Sequence, residues 1–483
     1  MYKQERQISL AEFISPFGKL SPENRWVRIA NMIPWEKYEP EYAAQFCEDN
    51  GAPATPFRMA LGTLIIKQRT GNSDVETLES IIETPAMQYL IGLHEFKQEA
   101  PFCSASITNF RKNISQELLD RINEEMFMPP KKSDNGGSEP PKDSSGAKES
   151  AEPAQNHGEL LLDATCAPAD ITYPTDVNLL NEARAKLEGI IDTLHRHTGA
   201  KKKPRTYRRV ARKRYLSFVK NRKPRKRLIH KAKGQQLRYV RRNLAHIDKQ
   251  LNEVSPEALS IRQQNQLETI RTLYTQQEEM YTNGTHSVED RIVSITQPWV
   301  RPMVRGKAKS DVEFGAKVSI SMIDGYAFKD KLDWNAYSEA GLLIPVVEAY
   351  KEKHGFYPQA VIADKLYRNR TNLAYCKERG IRLSGPKLGR PSKLTDKNQR
   401  QQERQDASTR NSVEGKFGEG KTRYGLDRIM ARLQNTSETV VSMIFLCMNI
   451  SRRLRILLPL FWILFTIFVL PVDFFFTKRR AFA

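Results

Sequence analysis

The stretch Glu159-Leu160-Leu161-Leu162-Asp163-Ala164-Thr165 decides how this chain is read. A leucine run this short, bounded by carboxylates, reads as an apolar β-strand that closes on Asp163. The pattern returns at Pro358-Gln359-Ala360-Val361-Ile362-Ala363-Asp364. In an α/β sheet the carboxyl ends of strands face the functional crevice, so Asp163 and Asp364 are expected to share one. A strand-end carboxylate among apolar neighbours must find a cation, a donor or water. Between the two acids, the apolar spacing from Asp176 to Leu194 predicts a helix. Arg291–Ile295 and Phe314–Ile323 read as strands by their β-branched content, and Trp334 to Glu352 as an amphipathic helix. This order predicts a mixed α/β layer fold.

A third acid, Glu414, stands in Arg410-Asn411-Ser412-Val413-Glu414-Gly415-Lys416-Phe417-Gly418-Glu419-Gly420-Lys421. On a helix, Arg410, Glu414 and Lys421 share one face, at spacings of four and seven. Three converging carboxylates without a cysteine or histidine cluster suit hard divalent cations, Mg²⁺ or Mn²⁺. Two such ions about 4 Å apart can activate a nucleophile and stabilise the leaving oxygen at a phosphodiester. Arg410 and Lys421 would then face DNA phosphates.

The chain has 483 residues, and a formal charge of +21 that is concentrated in one place. Lys201 to Arg242 holds 20 Lys and Arg and no Asp or Glu, so the remainder carries about +1. Lys201, Lys202, Lys203, Arg208, Arg209, Arg225, Lys226 and Arg227 lie in this block, with Tyr207, Tyr215, Phe218 and Tyr239 interleaved. Uncompensated blocks repel themselves unless an anion relieves them, which favours a nucleic-acid partner. Five scattered cysteines exclude a disulfide framework and a cysteine-rich zinc module, and they fit a reducing, cytoplasmic setting. Met1 to Arg6 opens no secretory signal stretch.

Residues 1–128 predict a helical unit for DNA binding or assembly, with helices through 57–67, 74–82, 85–91 and 104–114. Residues 129–157 hold no aromatic residue and no Val, Ile, Leu or Met, and predict a disordered linker. Residues 158–450 form the α/β unit, with a basic insertion at about 198–282. Residues 451–483 form an apolar tail. Its run from Ile456 to Val472 is borderline for the ~20 residues of a membrane span, so a buried or partner-binding end is favoured over a membrane.

Several ordered motifs resemble bacterial insertion-sequence transposases of the DDE type, in the group with a helical N-terminal domain. Pro56-Phe57-Arg58 through Arg69-Thr70-Gly71-Asn72-Ser73-Asp74, Tyr89-Leu90-Ile91-Gly92-Leu93 and Ser106-Ile107-Thr108-Asn109-Phe110-Arg111 are similar to that domain. Leu162-Asp163-Ala164-Thr165 and Ala363-Asp364-Lys365-Leu366-Tyr367 resemble the first two catalytic acids. Arg410-x3-Glu414-x6-Lys421, followed by Tyr424-Gly425-Leu426, resembles the third acid and its basic partner. Where that family has a Tyr three residues before the Arg, this chain has Ala407. The resemblance implies an α/β, RNase H-like mixed sheet with flanking helices. It implies Asp163, Asp364 and Glu414 as catalytic and metal-binding residues for two Mg²⁺ or Mn²⁺ ions. It further implies double-stranded DNA as partner, both element ends and target, and a homo-oligomer that cleaves at terminal inverted repeats and transfers strands. The alternatives are a metal-dependent nuclease that does not join, and an inactive DNA-binding relative.

Overall fold

The computed structural model describes residues 2, 4, 6–47, 53–128, 156–307, 310–386 and 397–469. The N-terminal stretch folds into α1 (Arg25–Met32), α2 (Trp35–Ala43), α3 (Phe57–Thr70), α4 (Asp74–Glu83), α5 (Pro85–Leu90), α6 (Ser106–Asn113) and α7 (Gln116–Phe127). The α3–α4 turn shows why the boundaries fall there. Gly71, at φ +73°, ends α3 and donates its N–H to Lys67 O. Ser73 then caps α4, accepting from Glu76 N while Glu76 accepts from Ser73 N. Arg58, in α3, is buried and donates to the carbonyls of Tyr89 (2.7 Å) and Leu90 (3.1 Å). It therefore closes the C-terminal carbonyls of α5 and does not face a ligand. The linker expected at 129–157 lies outside the described residues except for 156 and 157. There Asn156 Nδ2 donates to Arg379 O at 2.7 Å.

β1 spans Glu159–Pro168, which corrects one expectation. Asp163 does not end its strand but stands in the middle of it. Local apolarity stops at Asp163, yet the strand continues because β3 supplies backbone partners as far as Pro168.

Between β1 and β2 the chain forms α8 (Asp176–Thr198), α9 (Arg208–Val219), α10 (Lys226–Leu251) and α11 (Ile261–Asn283). Leu180, Leu187 and Ile191 of α8, Val240 and Ile247 of α10, and Ile270 and Leu273 of α11 make a separate buried core. The helical unit thus begins with α8 at Asp176. The strand expected at Arg291–Ile295 does not form. Its β-branched residues are buried all the same, Ile292 and Ile295 in the bundle core and Val293 against Val300, Ala316 and Trp334. β-Branched side chains serve burial as well as strands, and here only burial uses them.

The chain continues through β2 (Arg301–Lys307), β3 (Ser310–Ile323), β4 (Tyr326–Asp333), α12 (Leu343–His354), β5 (Ala360–Ile362), α13 (Arg370–Glu378), β6 (Arg382–Leu383), α14 (Lys397–Arg423) and α15 (Gln434–Val469). The helix expected from Trp334 starts only at Leu343, after a 3₁₀ turn at Glu339–Leu342. The strands run in the order β2-β3-β1-β5-β6, with β4 also on β3. β1, β3 and β4 pair antiparallel, whereas β5 and β6 join β1 in parallel. This is an RNase H-like mixed sheet with flanking helices.

The N-terminal helices and the sheet share one hydrophobic core. α15 joins them: its buried Ile444, Phe445, Leu446, Cys447 and Met448 sit where α3, α7 and β4 meet it. α15 also runs unbroken through position 451, where the apolar tail was expected to begin. Among the described residues no helix is long and apolar enough to cross a membrane.

Candidate active site

Strand register brings the first two acids together. Leu161 of β1 pairs with Ile362 of β5 in parallel. Two residues further on, Asp163 and Asp364 therefore stand abreast at the carboxyl end of β5. Neighbouring strands are roughly 4.8 Å apart, and the charge of Asp364 acts on the Asp163 carboxyl.

α14 lies against β1 and β5, held by the buried Val413 and Phe417. Gly420 allows the close approach behind it. A Cβ there would sit 3.1 Å from Leu426 and 3.2 Å from the Met448 sulfur. Glu414 is exposed on the helix, at the edge of the face that packs on the sheet. Arg410, one turn earlier, connects the acids. Its Nη1 lies 3.1 Å from Asp364 Oδ1 and its Nη2 lies 3.2 Å from Glu414 Oε1. The three glycines after Glu414 do not break α14, because tertiary packing holds it.

Both aspartates accept local backbone hydrogen bonds, Asp163 from Ala164 N at 2.8 Å and Asp364 from Lys365 N at 2.7 Å. Burial holds the Asp163 carboxyl above the usual carboxylate range. The negative charges of Glu339 and Asp364 push the same way, against the Ala164 N–H and Arg410. The arrangement is thus short of positive charge at Asp163 and supplied with it, by Arg410, at Asp364 and Glu414. Among the described residues no group of three or more His, Cys, Asp and Glu side chains is close enough to hold a metal ion together. The structure therefore sets Asp163 beside Asp364, and ties Asp364 to Glu414 through a guanidinium. Lys421 follows Glu414 on α14, roughly 10 Å further along its axis.

The basic block divides into two populations. Arg208 pairs with Asp192 at 2.7 Å and lies 3.9 Å from Glu188, and Lys203 also pairs with Asp192. Lys233 pairs with Asp176, and Arg242 donates to Thr206 O while lying over the rings of Tyr207 and Tyr239. These cations hold the bundle together. Lys201, Lys202, Arg209, Arg225, Lys226 and Arg227 are exposed, and no acid among the described residues pairs with them. Trp299 and Trp334 meet edge to face at 6.4 Å, and Trp334 Nε1 donates to Glu438, which is ordinary packing.

Sequence reasoning missed a second concentration of positive charge, from Lys112, Arg423, Arg428 and Arg432, which lines a cavity beside α3, α4 and α6. The spacing of Arg423, Arg428 and Arg432 was the available signal, but Lys112 joins them only in the fold.

An RNase H-like sheet bearing neighbouring carboxylates, with a cation-rich helical bundle inserted between its first strands, is the frame of the candidate site. Residues 361–451 match a family model described as a transposase DDE domain, and residues 15–113 match one described as a transposase domain (DUF772). The matches, lying on the two sides of the helical bundle, indicate an insertion-sequence transposase of the DDE class. The chain is also similar to the uncharacterized protein ORF8 in the nfe locus of Rhizobium meliloti. The two are 26% identical over 172 residues, 34% of this chain and 71% of that protein. No solved structure matches. Transposases bind DNA, and those of the DDE class generally use divalent metal ions.

Proposed function

We propose that this chain cleaves DNA at the terminal inverted repeats of an insertion sequence and joins the freed ends to target DNA. The observation that carries the reading is the juxtaposition of Asp163, within β1, and Asp364, two residues past the adjacent parallel strand β5, with Glu414 tied to Asp364 through Arg410. The donor set fits a hard divalent cation: it is all carboxylate oxygen, and the like charges at Asp163 and Asp364 are what a cation would relieve. Asp163 and Asp364 would hold the ions, and Glu414 would complete the second position. Bound there, Mg²⁺ or Mn²⁺ supplies Lewis-acid polarisation of a phosphodiester and an activated oxygen nucleophile. The chain's own share is positioning. β1 holds Asp163 within the sheet, the turn after β5 holds Asp364, and α14 presents Glu414 with Arg410 and Lys421 towards DNA phosphates. The exposed cations of the bundle add contacts to the backbone of the same DNA. Domain roles follow: residues 1–128 assist DNA binding and assembly, and residues 158–450 perform the chemistry, in a homo-oligomer that holds both ends.

The test is incubation of the purified chain with labelled DNA carrying its own element's ends, in Mg²⁺, in Mn²⁺ and in EDTA. Metal-dependent cleavage at the ends with joined products is the expected result. Cleavage without joining would reduce the protein to a nuclease. Binding without cleavage by folded protein would leave an inactive DNA-binding relative.

The two populations of cations separate in the same assay. Arg225→Gln with Arg227→Gln is expected to weaken duplex binding and lower the salt-dependence slope by up to about 1.8, roughly 0.9 for each phosphate no longer neutralised. Thermal stability stays unchanged. Arg208→Gln is expected to do the reverse, lowering the unfolding temperature because its pairing with Asp192 and Glu188 is gone. Equal effects of both changes on DNA binding would refute the division.

A further inference from the structure

The cavity missed by sequence reasoning lies where the N-terminal helices meet the α14–α15 junction, and it has a volume of about 610 Å³. That is within the range of about 300–1,000 Å³ typical of small-molecule sites. Its apolar lining comprises the buried Leu64 and Met443, the partly buried Val440 and the exposed Met430. Its wall carries six cations, Lys67, Arg111, Lys112, Arg423, Arg428 and Arg432, against one acid, Asp74. Asp74 is already consumed, lying 2.8 Å from Lys67 and bonded through both oxygens to Arg111 at 3.0 and 2.9 Å. Arg428 is engaged by Asp170, 2.6 Å away. Lys112, Arg423 and Arg432 are exposed and pair with no acid among the described residues. Charge gathered in this way without an internal counter-ion favours an anion. An apolar lining with a cationic rim suits one kind of anion in particular, a flat apolar ring carrying phosphate.

We propose that this cavity binds a nucleotide, its base over Leu64 and Met443 and its phosphate against Arg423, Arg432 and Lys112. Placement supports a strand of DNA as the source. Arg423 follows Glu414 by nine residues on one helix, so it lies roughly 13 Å further along α14 and about half a turn round it from Glu414. A DNA strand whose reacting phosphate sits at Glu414 spans that axial distance in about four nucleotides, at 3.4 Å each, and must pass round α14 to bring an unpaired base to the cavity. An occupant would also touch α6 and the α14–α15 junction together, and so report DNA engagement to both sides of the shared core. This deepens the DNA-processing reading and rests on it.

The experiment uses the full chain in EDTA, so that no cleavage intervenes. Oxidation of the exposed Met430 by peroxide is followed by mass spectrometry, alone, with millimolar dAMP, and with a duplex oligonucleotide that ends in a single-stranded overhang. The same three samples are run for the double variant Arg423→Gln with Arg432→Gln, whose side chains pair with no acid among the described residues. Duplex affinity is read in parallel by fluorescence anisotropy. The expected result is that duplex slows Met430 oxidation in the parent and not in the variant. The variant also loses about tenfold in affinity, with a salt slope lower by up to about 1.8. Protection by dAMP alone would identify a free nucleotide as the ligand and uphold the site. Protection by neither probe, or equal protection in parent and variant, overturns the proposal. If the duplex binds parent and variant alike and neither probe protects Met430, the site falls while the DNA reading stands. If dAMP protects Met430 but no duplex binds, the DNA reading falls while the site stands.

Discussion

Replacing Asp163 by Asn is expected to abolish metal-dependent DNA cleavage and, in the same protein, to raise the unfolding temperature. The two effects have one cause. Asp163 is held in the middle of β1, partly buried, beside Asp364 and within the field of Glu339. Its carboxyl therefore lies above the ordinary 3.8 in the fold. Between the unfolded value and the raised folded one, the native state binds more protons than the unfolded chain, so stability falls as pH rises through that window. At neutral pH the whole penalty is present. Asn keeps the shape and removes the charge, so the variant gains stability at pH 7 and loses that gain in acid, below both values. Activity moves the other way, by more than about a hundredfold, because the amide cannot supply an anionic oxygen to a hard cation. Asp364→Asn should match it in activity. It differs in releasing Arg410, which bonds Asp364 Oδ1 as well as Glu414. Thermal unfolding at pH 7 and at acid pH, beside the cleavage assay, checks this. An Asp163→Asn protein that cleaves at the parent rate removes Asp163 from the mechanism. One that cleaves slowly because it unfolds more easily removes the electrostatic account.

The second large effect concerns Asn449, which is fully buried in α15. Its Oδ1 accepts from Ala327 N at 3.0 Å, and its Nδ2 donates to Ala327 O at 2.7 Å and to Asn123 Oδ1 at 2.9 Å. Asn123 Nδ2 donates to Ala327 O as well, at 3.1 Å. β4 pairs with β3 on one side, so the outward N–H and C=O of Ala327 need a partner on the other. The Asn449 amide fills the place of a neighbouring strand, inside the core that joins α7, β4 and α15. Asn449→Ala leaves the Ala327 N–H and the Asn123 oxygen buried and unpaired. At about 1–3 kcal/mol for each stranded group, the expected loss is roughly 3 kcal/mol. Asn449→Asp should be no better, since a carboxylate cannot donate to Asn123. Denaturant unfolding of the variants checks the loss. A change below about 0.5 kcal/mol, the scale of an ordinary surface substitution, would show that water replaces the amide.

Part of this was legible in the chain because it depends on near neighbours. Gly71 and Ser73 mark the end of α3 and the start of α4 from within a few residues. The spacing of Arg410, Glu414 and Lys421 puts them on one helix, and the order of the acidic motifs, each in a recognisable local setting, signalled the fold class. Strand limits were less legible. β1 runs five residues past Asp163 because β3, from far along the chain, pairs with it. β2 and β4 were not legible, since Arg, Pro and Gly in β2 and Lys and Asp in β4 interrupt their apolar pattern, and β3 supplies what their own residues do not. The β-branched run at 291–295 erred the other way, being buried without being a strand.

By itself, the sequence determined where several helices lie, where the positive charge is concentrated, and which carboxylates are available, because periodicity, caps and composition act over a few residues. The tertiary structure decided which of these meet. Register set Asp163 beside Asp364, and packing of α14 put Arg410 between Asp364 and Glu414. Docking of the bundle paired Arg208 and Lys203 with Asp192 and left Arg225, Lys226 and Arg227 exposed, with no acid among the described residues beside them. The arrival of α6 at the α14–α15 junction gathered Lys112 with Arg423 and Arg432. A charge acquires its role from the counter-charge it faces, and in this protein that partner usually comes from a distant part of the chain.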